Sequence, residues 1–254
     1  AYKLAFHQHK LATGQVLLTA EDLDDRVRYV NARNTLESLF NFGAVPIINE
    51  NDSVAVEEVK VGDNDRISAL VSHLIDANLL VILTDVNGLY SEDPTLNGSA
   101  ELIPQVVEIT PELIAQAGKA GSNVSLGGMR TKLQAAESVT RGGRIMVIAN
   151  GYTSRITEIL DGKEVGTVFL PAVDRLTDRK LWIANSRKKG AIIVDGATVE
   201  EISVRGKDLR AFGVLEVVGD FEAWELIGVD NSNRVEVARG VVRYSSEEIR
   251  KIRE

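Results

Sequence analysis

The chain has 254 residues, of which 44% are hydrophobic and 26% charged, a balance typical of globular protein and enough chain for one large domain or two of ordinary size. A net charge of -8 argues against a surface given over as a whole to nucleic acid. There is no cysteine, which excludes disulfides, thiol nucleophiles and cysteine zinc sites, and no apolar run approaches the roughly 18 residues of a membrane span.

In chain order, residues 1–13 read as the end of an amphipathic helix closed by Gly14, and 15–19 as a short apolar strand. The chain starts at Ala1, inside this helical pattern and without a signal-peptide pattern, so the N-terminus is expected to be a cut. Residues 20–42 read as one helix, with Val27, Val30, Leu36, Leu39 and Phe40 as its apolar stripe and Gly43 as its stop. A buried strand follows at 44–48, then an acidic stretch, then a helix in which Ile67, Leu70, Val71 and Leu74 share a face. The continuous apolar runs at 79–83 and 145–149 suit parallel strands buried on both faces. Helices are expected after Pro111, a good first helical residue, and over 129–141. Strands alternating with helices predict an α/β fold with a mostly parallel sheet sandwiched by helices. After Pro171 the pattern changes to strand-like runs at 181–184, 191–194, 213–218, 223–229 and 235–242, which predict a small β-barrel-like domain. The expected domains are therefore 1–173 and 178–254.

Three stretches carry chemistry. Asn49, Glu50, Asn51, Asp52, Glu57, Glu58, Asp63, Asn64 and Asp65 lie between a strand's end and a helix's start. That is where an open α/β sheet binds ligands; the bland alternative is a solvated loop with one helix cap. Leu126, Gly127, Gly128, Met129, Arg130, Thr131 and Lys132 form a glycine-rich approach to a helix. Such a loop lets backbone amides and a helix dipole face a phosphate, with Lys132 in reach of a transferring phosphoryl group. The spacing is not that of the P-loop, and a flexible loop with a surface lysine would read the same way. Thr84 and Asp85, followed by Gly88-Leu89-Tyr90, close a strand at the end that faces a ligand crevice. His7, His9 and His73 have no partners at metal-ligand spacing and read as structural or exposed.

Together these residues resemble the amino-acid kinase family, and within it the branch that acts on the side-chain carboxylate of glutamate. The resemblance rests on N-E-N-D at 49–52, K-V-G-D-N-D at 60–65, L-T-D at 83–85 with G-L-Y at 88–90, and G-G-M-x-T-K at 127–132. N-A-R-x-T-L at 31–36 and V-G-T at 165–167 add to it. The segment after about 178 resembles a PUA domain, a small β barrel. The resemblance implies ATP-dependent phosphorylation of L-glutamate to L-glutamyl 5-phosphate, with Mg2+, in the first step of proline synthesis. Asp52 and Asn64 would hold glutamate, Asp65 would orient the catalytic lysines, and Lys132 would neutralise charge on the phosphoryl oxygens. Thr84, Asp85 and residues 126–132 would take the nucleotide, with no metal ligand from the protein. It also brings a cytoplasmic setting, a homo-oligomer and proline as a candidate feedback inhibitor.

Three departures stand out. The family's first strand and glycine-rich loop have no counterpart, Ser125-Leu126 stands where G-T is expected, and the PUA-like part ends at Glu254, short of its last strand. Two other functions stay open: a sister kinase with a different carboxylate or phosphate substrate, and an RNA-binding PUA protein on an inactive kinase scaffold. The basic residues Arg175, Arg179, Lys180, Arg187, Lys188 and Lys189 favour the latter, while Asp195, Glu200, Glu201, Asp220, Glu222 and Glu225 oppose it.

Overall fold

The apolar runs of the first two-thirds of the chain are strands in parallel register, and the helices between them bury one face each. The structure is a computed structural model; it describes residues 2–51, 63–119, 128–210 and 213–252, in two units, Ala1–Leu181 and Trp182–Glu254.

The first unit opens with α1 (Tyr2–Gln8) and β1 (Ala12–Leu18). Gly14 therefore sits inside a strand rather than closing a helix; the chain turns earlier, at Lys10, whose φ is 59°. A Cβ on Gly14 would lie 2.6 Å from Leu39 Cδ2, so the glycine serves a close approach between strand and helix. The single helix expected over 20–42 is two, α2 (Ala20–Asp24) and α3 (Arg26–Asn41). Asp25 between them is extended and accepts a hydrogen bond from the Arg28 N–H at 2.8 Å. Its carboxylate caps the second helix in preference to continuing the first. Gly43, at φ 67°, ends α3 as expected, and β2 (Ala44–Glu50) pairs in parallel with β1.

The second sheet is built from α4 (Asp63–Leu74), β3 (Leu79–Thr84), β4 (Gln105–Val106), α5 (Pro111–Lys119), α6 (Met129–Arg141), β5 (Ile145–Asn150), α7 (Ile156–Leu160) and β6 (Thr167–Phe169). Its strand order is β3-β5-β6-β4. The β3/β5 and β4/β6 pairs are parallel and β5/β6 is antiparallel. The sequence reading lacks β4, α7 and β6, which are too short to show a period.

Helix α8 (Asp178–Asn185), within which the chain passes from the first unit to the second, replaces the strand expected at 181–184. A four-residue apolar run fits either state; here the Leu181 N–H reaches the Thr177 carbonyl at 2.8 Å, a helical bond. Then come β7 (Gly190–Val194), α9 (Gly196–Ser203), β8 (Val214–Val218), β9 (Leu226–Asp230), β10 (Glu236–Val241) and α10 (Ser246–Ile252). The four strands form one sheet in the order β10-β9-β7-β8, with the β7/β9 pair parallel and the flanking pairs antiparallel. Ile192, Val194, Phe221, Ile227, Val229 and Ile249 make its core. Neither α9 nor α10 is expected from the sequence.

Helix α4 belongs to both cores of the first unit. Ile67, Leu70 and Leu74 join Leu18, Leu23, Ala32 and Leu36, whereas Ala69 joins Leu133, Ala135, Ala136, Met146 and Ile148. At its last turn the buried His73 lies 2.9 Å from Ser138 Oγ through Nε2 and 3.0 Å from Arg144 Nη1 through Nδ1. Guanidinium only donates, so Nδ1 is the acceptor and Nε2 carries the proton toward Ser138. Arg144 also reaches Asp76 Oδ1 at 2.7 Å. Burial, and then the Arg144 charge, lower the His73 pKa from 6.5 to about 4.

The unfolded chain therefore takes up this proton before the folded one does. Its contribution is complete above pH 6.5 and is lost as the pH falls toward 4. By pH 5 the loss from this group should reach about 2 kcal/mol relative to pH 7. Urea unfolding at the two pH values should show this difference in the wild type and not in His73→Gln; equal pH dependence in both proteins would contradict the assignment.

Candidate active site

Helix lengths match strand lengths, and this places the polar termini together. Helix α4 turns into β3 within a few residues and α6 turns into β5 in the same way. A twelve-residue helix and a six-residue strand each span about 20 Å. The N-termini of α4 and α6 thus lie at the sheet edge where β3 and β5 end. In the parallel register Thr84 is opposite Asn150. Asp65, Lys132, Thr84 and Asn150 all belong to this C-terminal edge, where ligands bind in sheets of this class.

Two clusters are built there. In the first, Asp65 Oδ2 accepts from Thr131 Oγ1 at 2.7 Å and from Lys132 Nζ at 3.1 Å. The Lys132 and Asp65 side chains are only 13% and 14% exposed, so this is not a solvated surface pair of small consequence. Thr131 Oγ1 also lies 2.9 Å from the Gly128 carbonyl. Gly128 caps α6 without a side-chain bond, and no acidic residue stands in the first turn. The first amides of α6 and the positive end of its dipole suit an anion.

In the second cluster, the Thr84 hydroxyl donates to Asp85 Oδ1 at 3.0 Å. The Asn150 amide donates to the Asp85 carbonyl at 3.2 Å and to Asn87 Oδ1 at 2.9 Å. Asn87 in turn donates to Tyr90 Oη at 3.2 Å. The loop after β3 is thereby tied to the end of β5. Beneath it, Thr167 Oγ1 accepts from the Leu89 N–H at 2.8 Å and donates to the Ile103 carbonyl at 2.6 Å. Gly88 has a φ of 151°, and a Cβ there would stand 2.6 Å from that hydroxyl. The Gly88-Leu89-Tyr90 turn is thus shaped around Thr167, which is fully buried.

The structure brings Asp65, Thr131 and Lys132 into contact, with Gly128 and Met129 leading into them. Met129 packs on the core and Arg130 faces solvent. Thr84 and Asp85 join the second cluster. Asn64 is exposed in the first turn of α4. Asp52, Leu126 and Gly127 lie outside the described residues, as do Glu57, Glu58 and Lys60. The sequence reading missed Asn150 and the bracing role of Thr167. Asn150 could have been found by applying to β5 the end-of-strand rule applied to β3; nothing local marks the role of Thr167.

Two parallel strands with helix N-termini over their C-terminal ends, an ion pair of low exposure and a helix start without a side-chain cap define an α/β protein with an anion-binding edge, an arrangement that suits phosphoryl transfer. Residues 1–150 match the amino acid kinase family and 190–254 match the PUA domain. The chain is 48% identical over 254 residues to a glutamate 5-kinase of Trichlorobacter lovleyi, covering 99% of this chain and 68% of that protein. It is 46% identical to one of Moorella thermoacetica, covering 99% and 67%, and 42% identical to one of a Thermoanaerobacter species, covering 99% and 68%. The chain belongs to the amino acid kinase family and, within it, to the glutamate 5-kinases.

Thr167 offers a direct test of the bracing. Thr167→Val keeps the shape but leaves the buried Leu89 N–H and the part-buried Ile103 carbonyl without this partner, at about 2 kcal/mol or more. Thr167→Ser should recover most of the loss. Denaturant midpoints of both variants decide the matter; a valine variant as stable as the wild type would show that the two bonds contribute nothing.

Proposed function

We propose that the chain catalyses ATP-dependent phosphorylation of the side-chain carboxylate of L-glutamate, giving L-glutamyl 5-phosphate for proline synthesis. The observation that carries the site assignment is the convergence of Thr131 and Lys132 on one oxygen of Asp65, at the start of a helix suited to phosphate.

The chemistry needs little covalent participation from the protein. A glutamate carboxylate oxygen attacks the γ-phosphorus while the bond to the β-phosphate oxygen breaks, and charge spreads over the three equatorial oxygens. Lys132 stabilises that charge, more in the transition state than in the ground state. Asp65 fixes where the ammonium sits. The first amides of α6 receive the phosphates, and Thr84 and Asp85 line the nucleotide side. The charge that Lys132 and the α6 amides face would be partly neutralised by Mg2+ carried with the nucleotide, for which the chain supplies no carboxylate cluster among the described residues. From the family resemblance, Asp52 is assigned to the substrate ammonium and Asn64 to the substrate carboxylate, which an amide can bond without repelling. This proposal includes a homo-oligomer and proline as feedback inhibitor, both drawn from the family resemblance.

Two substitutions in the protein that carries this chain test the roles. Lys132→Met should lower kcat by roughly 10²–10³, the scale for removing one preorganised charge partner, with folding verified by circular dichroism. Unchanged turnover would end the catalytic role of Lys132. Asp52→Ala should raise the KM for glutamate far more than that for ATP, because binding lost equally from ground and transition states appears mainly in KM. Equal effects on the two substrates would remove Asp52 from the glutamate site.

A further inference from the structure

We propose that Thr131 is a positioning residue for phosphoryl transfer, its hydroxyl acting through Asp65 to set how firmly Lys132 is held as it meets the transferring group. The inference rests on the catalytic reading of Lys132.

Asp65 Oδ2 receives two donors on a single oxygen, the Thr131 hydroxyl at 2.7 Å and the Lys132 ammonium at 3.1 Å. Neighbouring residues on one helix point about 100° apart. They meet here because Asp65 comes from the facing helix, α4. The hydroxyl has one proton and two acceptors in reach, Asp65 Oδ2 and the Gly128 carbonyl at 2.9 Å. The Gly128 carbonyl already accepts the Thr131 N–H at 3.1 Å. The carboxylate is the closer and, being charged, the stronger acceptor, so the proton goes to Asp65.

Two consequences follow for Lys132. The hydroxyl shares the charge of the oxygen that the ammonium faces, which weakens the hold of Asp65 on it. It also keeps the carboxylate in place once Lys132 turns toward the phosphoryl oxygens. At such low exposure, water is a poor substitute for that bond. Without the hydroxyl, Oδ2 loses one of these two donors and binds the ammonium more tightly. The cost then falls on the step in which Lys132 must give its charge to the transferring group, and nucleotide binding in the ground state is spared.

Steady-state kinetics with glutamate and Mg-ATP test this in Thr131→Val, Thr131→Ser, Asp65→Asn, the double variant Asp65→Asn/Thr131→Val, and Lys132→Met. Thr131→Val should lower kcat about 10-fold or more, the scale of one hydrogen bond to a charged group, with the KM for Mg-ATP within about 2-fold of wild type. Thr131→Ser should restore most of kcat. In the Asp65→Asn background the valine substitution should cost less than about 2-fold, because the two residues act as a unit. Should the valine variant fold poorly, Thr131→Ala carries the same expectations. A raised KM for Mg-ATP at unchanged kcat would make Thr131 a direct nucleotide contact and overturn the proposal. An equal loss in both backgrounds would overturn it as well, because the hydroxyl would then act without Asp65. Wild-type kcat in Lys132→Met would be a different failure, removing the catalytic reading and the proposal with it.

Discussion

The first unit depends on the contact between α4 and α6. Asp65, Ala69 and His73 recur every four residues along α4 and so share one face. That face meets α6 three times. At the N-terminal end Asp65 receives Thr131 and Lys132. In the middle Ala69 packs in the cluster that holds Ala135 and Ala136, where the small side chains let the helices approach closely. At the C-terminal end His73 reaches Ser138 and Arg144. Polar contacts thus stand at both ends and apolar packing between them. Sliding one helix along the other by a turn would break both polar sets and would also take Ala69 away from Ala135 and Ala136. The polar ends and the apolar middle therefore specify the same register.

The two ends do different work for the same reason. Each places ionisable groups where water is scarce, and such groups must be partnered. At His73 the solution is to stay neutral: burial and the Arg144 charge depress its pKa, and the imidazole accepts rather than donates at Nδ1. At Asp65 the solution is to pair opposite charges and add a hydroxyl. The first arrangement holds structure. The second leaves a cation and an uncapped helix start at the edge where strands end, and a polyphosphate can use both. One helix pair thereby supports the sheet at one end and presents chemistry at the other.

What the sequence discloses follows from the range of the forces involved. The runs that became β3 and β5, and the helix over 129–141, are read from local periodicity because burial on one or both faces writes that pattern residue by residue. Gly14 misled because a glycine closing a helix and a glycine admitting Leu39 look alike in one dimension. The apolar run at 181–184 was too short to separate strand from helix, and β4, α7 and β6 were shorter than any period. Asp65 and Lys132 were legible as a pair only through their likeness to a family, since 67 residues separate them. Nothing near Thr167 announces that its hydroxyl holds a turn 78 residues away.

The second unit shows the same logic applied to charge. The sequence gathers basic residues at 175–189 and acids beyond 195, which in one dimension reads as a positive patch beside a negative one. In the structure the signs are interleaved within Trp182–Glu254. Lys188 binds both Asp230 and Glu236, and Arg239 binds Glu236 as well. Arg205 meets Glu200, Lys207 meets Glu201, Arg234 meets Glu216 and Arg250 meets Asp220. The Lys188 pKa is raised, first by its bond to Glu236, so its charge is already answered within the unit. A nucleic-acid surface draws its affinity from cations that trade counterions for phosphates. A lysine already answered by two carboxylates would have to give up those partners first. Within the basic cluster that, read along the chain, most favoured RNA, Lys188 is therefore already engaged by carboxylates of its own unit.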